Sequence, residues 1–264
     1  MMLLKDKVAL IMGGGQTPGE TIGNGRATAL EFAREGARVV VADRDLSSAE
    51  ETADMIRDEG FAADTHQVDV RSEENILACV GATIDKHKRV DILHNNVGIS
   101  LAGNDAPVES ITTEAWDGLV EVNLRGMVLA CKHVLPHMRS QASGVIINIS
   151  SMAAWAAYPL VGYKTTKAGV IALTEQLAAQ NARYGIRANV ILPGLMNTPM
   201  AIESRVAEGT PREEVVAARD KRVPLGRKMG SAWDVAYAAA FLASDKAGFI
   251  TGISLPVDGG TSVT

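Results

Sequence analysis

Cysteine is scarce: only Cys79 and Cys131 occur in 264 residues. Each falls within a helical pattern and neither has metal-like spacing, so they read as reduced core thiols of a cytoplasmic protein. No apolar run approaches the ~18 residues of a membrane span. The opening residues run straight into a strand pattern, with neither an apolar signal core nor a small-residue cleavage site. Positive charge is in deficit: 26 Lys and Arg face 31 Asp and Glu, a formal net charge of -5. Nucleic-acid binding wants a clustered basic face, and none is present. Neither nucleic acid nor membrane is therefore expected as a partner. Histidines are scattered at 66, 87, 94, 133 and 137. Only His133 and His137 share a helical face, without an acidic or cysteine companion and with Pro136 between them, which argues against a metal site. Linkers, repeats and low-complexity tracts are also missing, so 1–264 reads as one domain.

What is present is an alternation. Short apolar, β-branched runs predict strands at 7–12, 37–42, 63–68, 90–94, 144–149, 186–192 and 253–257. Between them, helical periodicity predicts helices at 26–35 (with Gly36 as C-cap), 47–59, 72–87, 113–139, 163–184 and 232–243. Seven strands alternating with helices imply an α/β chain, a Rossmann-like doubly wound parallel sheet with helices on both faces. The polar segment 195–222 breaks the rhythm and is expected to be a lid over the crevice.

Several residues then stand where ligands bind such sheets. Gly13, Gly14 and Gly15 end the first strand, and Gly19, Gly23 and Gly25 form a GxxxGxG before the first helix. A pyrophosphate needs close backbone approach and a helix N-terminus, which side chains would block. Glycine-rich turns are common, and the position between strand and helix supplies the specificity. Asp43, eighteen residues after Gly25, ends the second strand. It can accept from ribose hydroxyls and repel a 2'-phosphate, favouring NAD over NADP, although the adjacent Arg44 could attract that phosphate. Asp69, followed by Val70, either accepts from an adenine amino group or caps the next helix. Asn95 and Gly98 either line the crevice or serve only as turn residues. Asn123, mid-helix among apolar neighbours, reads as a locally satisfied structural amide.

The stretch from Ser150 to Lys167 carries the chemistry. Tyr163 and Lys167 are four apart on a helix and share a face. A phenol titrates near 10, and the neighbouring ammonium is expected to lower that value and suit it to proton transfer with an alcohol. Ser150 or Ser151 could donate to the same substrate oxygen. Taken alone, the Tyr-Lys pair reads as solvated surface. An apolar wall (Met152, Ala153, Ala154, Trp155, Ala157, Tyr158, Leu160, Leu195, Met196, Met200) points to a hydrophobic or cyclic secondary alcohol or ketone. Arg205, Arg212 and Arg219 read as surface charge in preference to contacts with an acidic substrate.

Together these pieces resemble the short-chain dehydrogenase/reductase family over essentially the whole chain: the glycine loop, Asp43, Asp69-Val70, Asn-Asn-Val-Gly at 95–98, Asn123, Ile-Ser-Ser at 149–151, Tyr163-x-x-x-Lys167, Pro193-Gly194 with Thr198, and Val-Asp-Gly-Gly at 257–260. The resemblance implies a hydride-transferring oxidoreductase using NAD, with NADP less favoured. Tyr163 would be the general acid/base, Lys167 its pKa modifier and nicotinamide-ribose ligand, Ser151 the substrate-oxygen donor and Asn123 the holder of a relay water. The resemblance thus reverses the structural reading of Asn123. Ile22, Gly23 and Asn24 would lie at the pyrophosphate; Pro193, Gly194 and Thr198 would lie along the nicotinamide; Ser151, Ala153, Trp155, Leu195 and Met200 would meet the substrate. A homotetramer is also implied. An NADPH-dependent reductase of 3-oxoacyl thioesters is the alternative, and a non-catalytic nucleotide sensor would not need Ser, Tyr, Lys and Asn together.

Three departures stand out. Residues 13–18 are additional, so either Gly13 or Gly19 takes the first-glycine role. The serine twelve residues before Tyr163, Ser151, is preferred to the usual thirteenth, Ser150, because a strand fixes register better than a loop length does. Val97 replaces the commoner alanine.

Overall fold

The computed structural model describes residues 2–264. One sheet contains β1 (Val8–Met12), β2 (Arg38–Asp43), β3 (Ala63–Gln67), β4 (Ile92–Asn95), β5 (Gly144–Ile149), β6 (Ile186–Pro193) and β7 (Ser254–Val257). All pairings are parallel, in the order β3-β2-β1-β4-β5-β6-β7. The helices are α1 (Asn24–Arg34), α2 (Leu46–Asp58), α3 (Glu73–His87), α4 (Thr113–Val120), α5 (Gly126–Gln141), α6 (Val161–Asn181), α7 (Pro199–Ala207), α8 (Arg212–Asp220) and α9 (Ala232–Ala243).

Interior strands are apolar at both parities because both faces are covered. Ala9, Ile11, Val39, Val41 and Ile147 pack under α1, α2 and α9. Their strand neighbours Leu10, Met12, Val40 and Ile146 face α3, α5 and α6. Chain order reverses between β1 and β4, and the crevice outside the carboxyl ends of those strands is where such sheets bind ligands.

Three features depart from the simple pattern. β4 starts at Ile92 because Asp91 is drawn into a buried junction, accepting from the Val8 N–H at 2.8 Å and from Arg89 at 2.6 Å. The long helix expected over 113–139 is divided by a π turn, Glu121–Arg125, with Asn123 inside it. The excursion over 195–222 folds into α7 and α8 around its own small cluster of Ile202, Val215, Val223 and Met229. No helix among the described residues is long and apolar enough to cross a membrane.

One core residue carries a titration of its own. His94 lies between Ile11 and Ile147 of the neighbouring strands, edge-on to Phe32 at 5.9 Å, and neither ring nitrogen has a partner among the described residues. Burial pushes its pKa down to about 3. The unfolded chain therefore binds one proton more than the folded chain between about pH 6.5 and 3. Stability from this site is complete above pH 6.5 and declines as pH falls toward 3. His94→Leu should flatten the acid-side loss by about 1 kcal/mol per pH unit, measured as urea midpoints at pH 7, 5.5 and 4.5. Parallel declines in the two proteins would refute the assignment.

Candidate active site

Two crevice glycines, Gly13 and Gly25, leave no room for a side chain. Gly13 leaves β1 with φ +82°, donates to the Ala42 carbonyl at 2.7 Å and accepts from Asn96 Nδ2 at 2.9 Å. A Cβ on Gly25 would run into the Gly13 carbonyl oxygen, so α1 can reach the strand end only through glycine. The N-cap of α1 is Gly23, with no side-chain cap and no acidic residue in the first turn. Its N–H groups are left for an anion. At the same helix start Thr21 Oγ1 and Asn24 Oδ1 are buried without partners among the described residues. A glycine cradle, an uncapped helix start and the unpartnered Thr21 hydroxyl, which can donate, fit a dinucleotide pyrophosphate. Of the two candidates for the first glycine, Gly13 stands at the strand end, whereas Gly19 packs against Pro199 and Glu203 of α7.

At the β2 end, Asp43 accepts from the Gly15 N–H at 3.0 Å and the Asp45 N–H at 3.1 Å, one bond per oxygen, which leaves acceptor capacity on both. Arg44 and Asp69 line an open recess of about 560 Å³ with His66, Gln67, Asn75 and Cys79. The Asp69 carboxylate is gripped by Arg71 at 2.6 Å, which holds its pKa below the usual range. Capping of α3 falls to Ser72, which accepts from the Asn75 N–H at 3.2 Å. An adenine amino group would have to share Asp69 with Arg71. Val70 packs on Gly126. The Asn95 side chain points away from the crevice, donating to Asn148 Oδ1 at 2.9 Å. The Asn95 side chain is thus already engaged, and at Gly98 a Cβ would press on Lys167 Nζ at 3.0 Å.

β5 and α6 bring the reactive side chains together. Lys167, 2 % exposed, donates from Nζ to the Ile149 carbonyl at 2.9 Å and lies 5.6 Å from the Tyr163 ring centroid. The two serines divide sharply. Ser150 is buried, its hydroxyl donating to the Lys167 carbonyl at 2.6 Å; the Ser151 hydroxyl accepts from the Ala153 N–H at 3.1 Å and acts on Tyr163 in the direction that favours its phenolate. Asn123 is fully buried, accepting from the Ile99 N–H at 2.7 Å and donating to the Ile99 carbonyl at 2.8 Å and Thr166 Oγ1 at 3.2 Å. The expected lowering of the phenol is not what the bare site shows. Burial pushes Tyr163 up to about 12 against the opposing Ser151 hydrogen bond, with Tyr158 adding to the rise. Burial also brings Lys167 down to about 8.

The expected apolar wall is only partly a wall. Ala153 is buried beside Ser151, Trp155 is 51 % exposed and Met200 is 42 % exposed at the mouth. Leu195 packs on the α7–α8 cluster, and Met196 belongs to the main core. Pro193 ends β6, Gly194 donates to the Val257 carbonyl at 2.9 Å, and buried Thr198 is the N-cap residue of α7.

Residues 20–262 match the family model described as enoyl-(acyl carrier protein) reductase. The chain is 36 % identical to 2-(R)-hydroxypropyl-CoM dehydrogenase of Xanthobacter autotrophicus, over 91 % of this chain and 95 % of that one. It is 38 % identical to 3beta-hydroxysteroid dehydrogenase 1 of Eggerthella lenta, over 98 % and 95 %. The crystal structure of a short-chain dehydrogenase/reductase described as putative, from Burkholderia xenovorans, superposes with a TM-score of 0.90 at 36 % identity, covering 100 % of this chain and 99 % of that one. The chain belongs to the short-chain dehydrogenase/reductase family.

Within this short-chain dehydrogenase/reductase, sequence reasoning missed two positioning residues. The N-cap residue of α6, Leu160, offers no side-chain cap; Asp105 supplies it from 58 residues away, accepting from the Gly162 N–H at 2.9 Å and the Tyr163 N–H at 2.8 Å. Lys164 donates to the carbonyls of Ala153, Ala154 and Ala156, holding the loop after Ser151. Nothing in local spacing announces either. Asp105→Ala should cost about 1–2 kcal/mol of stability, as lost caps do, and lower kcat by displacing Tyr163 while leaving dinucleotide affinity unchanged. Urea unfolding and nicotinamide fluorescence titration read the two effects separately.

Proposed function

We propose that this oxidoreductase transfers hydride between NAD(H) and a hydrophobic or cyclic secondary alcohol or ketone. The observation that carries the reading is the buried Lys167 ammonium 5.6 Å from the Tyr163 ring centroid, with the Ser151 hydroxyl acting to favour the phenolate. The nicotinamide supplies the hydride acceptor in oxidation and the donor in reduction. Ser151 donates to the substrate oxygen and orients it. Tyr163 Oη takes the alcohol proton in oxidation and returns it in reduction. Lys167, protonated below about pH 8, provides the positive charge that offsets the burial cost of a phenolate. Asn123 holds the π turn against Ile99 and Thr166.

Asp43 supports NAD, since its free acceptor sites suit ribose hydroxyls and its charge disfavours a 2'-phosphate. Arg44 supports the second reading, an NADPH-dependent 3-oxoacyl-thioester reductase. A gluconate 5-dehydrogenase from Burkholderia cenocepacia, 34 % identical, was solved with NADP, and a 3-oxoacyl-[acyl-carrier-protein] reductase of Thermotoga maritima is 35 % identical. A cytoplasmic homotetramer is part of the proposal, supported by exposed Tyr237, Phe241 and Phe249 on and after α9; light scattering on the purified protein tests it.

Fluorescence titration with NADH and NADPH, repeated on Asp43→Asn, decides the cofactor. NADH should bind more tightly, and the substitution should erode that preference; tighter NADPH binding would move the thioester reductase to first place. Tyr163→Phe should lose at least about 10²-fold in kcat with dinucleotide binding retained, and substantial residual turnover would overturn the proton-transfer role.

A further inference from the structure

The additional residues of the glycine loop are tied down at two separate places. At its base the segment is fixed to β2 and α2: the Gly14 carbonyl accepts from Thr52 Oγ1 at 2.9 Å, the Gly15 N–H donates to Asp43 Oδ2 at 3.0 Å, and the Gln16 N–H donates to Ser48 Oγ at 2.8 Å. Gln16 Oε1 also accepts from the Gly23 N–H at 2.9 Å, which pinches the neck of a projecting loop, residues 17–22. The tip of that loop meets α7 and α8. Gly19 packs so closely that a Cβ there would stand 2.6 Å from Glu203 Oε1 and 2.9 Å from Pro199 Cβ. Glu20 pairs with Arg212 Nε at 3.2 Å, and Arg212 pairs in turn with Glu203.

Sheet order gives the two attachments their meaning. β2 and β6 lie on opposite sides of the β1–β4 boundary, and α7 follows β6. A segment bonded to the end of β2 and packed on α7 therefore crosses the crevice outside the carboxyl ends of β1 and β4, where such sheets bind dinucleotides. Thr21, beside Glu20, keeps a buried hydroxyl without a partner among the described residues, a donor that a pyrophosphate held at the same helix start would satisfy. Ordering such a loop costs backbone entropy, which the bonds at its base and the pairs on Arg212 offset. Glu20 is exposed, so its pair with Arg212 is solvent-screened and weak enough to open during ligand exchange.

We propose that residues 14–20 form a strap across the dinucleotide crevice, with Arg212 as its latch, and that the strap must unlatch before a dinucleotide enters or leaves. This rests on the dinucleotide binding proposed above and extends it to exchange. Entry and exit pass through the same opening, so a weaker latch speeds both. The dissociation constant, their ratio, moves little.

The test loads the protein with NADH, adds excess NAD and follows the loss of nicotinamide fluorescence by stopped flow; mixing free protein with NADH gives the rate of entry. NADPH and NADP replace them if that pair binds more tightly. Glu20→Gln, at an exposed side chain, and Arg212→Gln should each speed release and entry about threefold, leaving the dissociation constant nearly unchanged. The double variant should be no faster than Arg212→Gln alone, because the two residues share one latch. Added salt should speed exchange more in the parent protein than in Arg212→Gln. Unchanged rates in both single variants overturn the proposal. So do effects that multiply in the double variant, or weaker binding with unaltered entry, which marks Arg212 as a support of the crevice wall. Failure to bind either NADH or NADPH strikes the proposed function instead.

Discussion

A buried seam of hydrogen bonds joins α6 to the end of β5. Asn148 donates to Thr174 Oγ1 at 2.9 Å, Ser150 to the Lys167 carbonyl at 2.6 Å, and Lys167 to the Ile149 carbonyl at 2.9 Å. Because successive strand residues face opposite ways, a one-residue slip would turn Asn148 and Ser150 out of this seam. The seam therefore sets the register of helix on strand, and with it the position of Tyr163 relative to Ser151. Asn95 extends it by bonding Asn148, so the sheet's centre and the reactive helix form one polar-satisfied unit.

That unit holds groups in states they would not adopt in water. The phenol is made harder to ionise and the amine easier to neutralise, both by loss of solvent. The same exclusion of water makes any added charge or dipole in the crevice count for more. Asp105 belongs to this economy: its carboxylate meets the N-terminus of α6, where helix dipole and free N–H groups favour negative charge. Tyr163 is thus steadied from both ends of its first turn, by the seam and by a cap from a distant loop.

The lengthened glycine loop links regions that a shorter turn would leave apart. Gly15 donates to Asp43, Gln16 donates to Ser48 Oγ at 2.8 Å and accepts from the Gly23 N–H, and Glu20 meets Arg212 of α8. The dinucleotide edge and the α7–α8 cover are therefore in contact through ion pairs and small residues.

How much was legible depended on the range of the interaction. Seven strands, most helices, the glycine cradle and the Tyr163–Lys167 face follow from local periodicity and spacing, which are properties of neighbouring residues. Short, continuous apolar and β-branched runs alternating with helical periodicity were enough to imply the doubly wound sheet. Choices between near-equals did not follow. Gly13 and Gly19 are both glycines near a turn, and only the approach of Gly25 to the Gly13 carbonyl separates them. Ser150 and Ser151 differ by one residue, and the fold commits the Ser150 hydroxyl to a helix carbonyl while the Ser151 hydroxyl accepts only from the nearby Ala153 N–H among the described residues. Asp105 capping α6 and Asn95 turning toward Asn148 are facts of tertiary proximity. Side-chain partners lie tens of residues away in sequence, so the folded chain decides which polar groups are satisfied and which remain for a ligand.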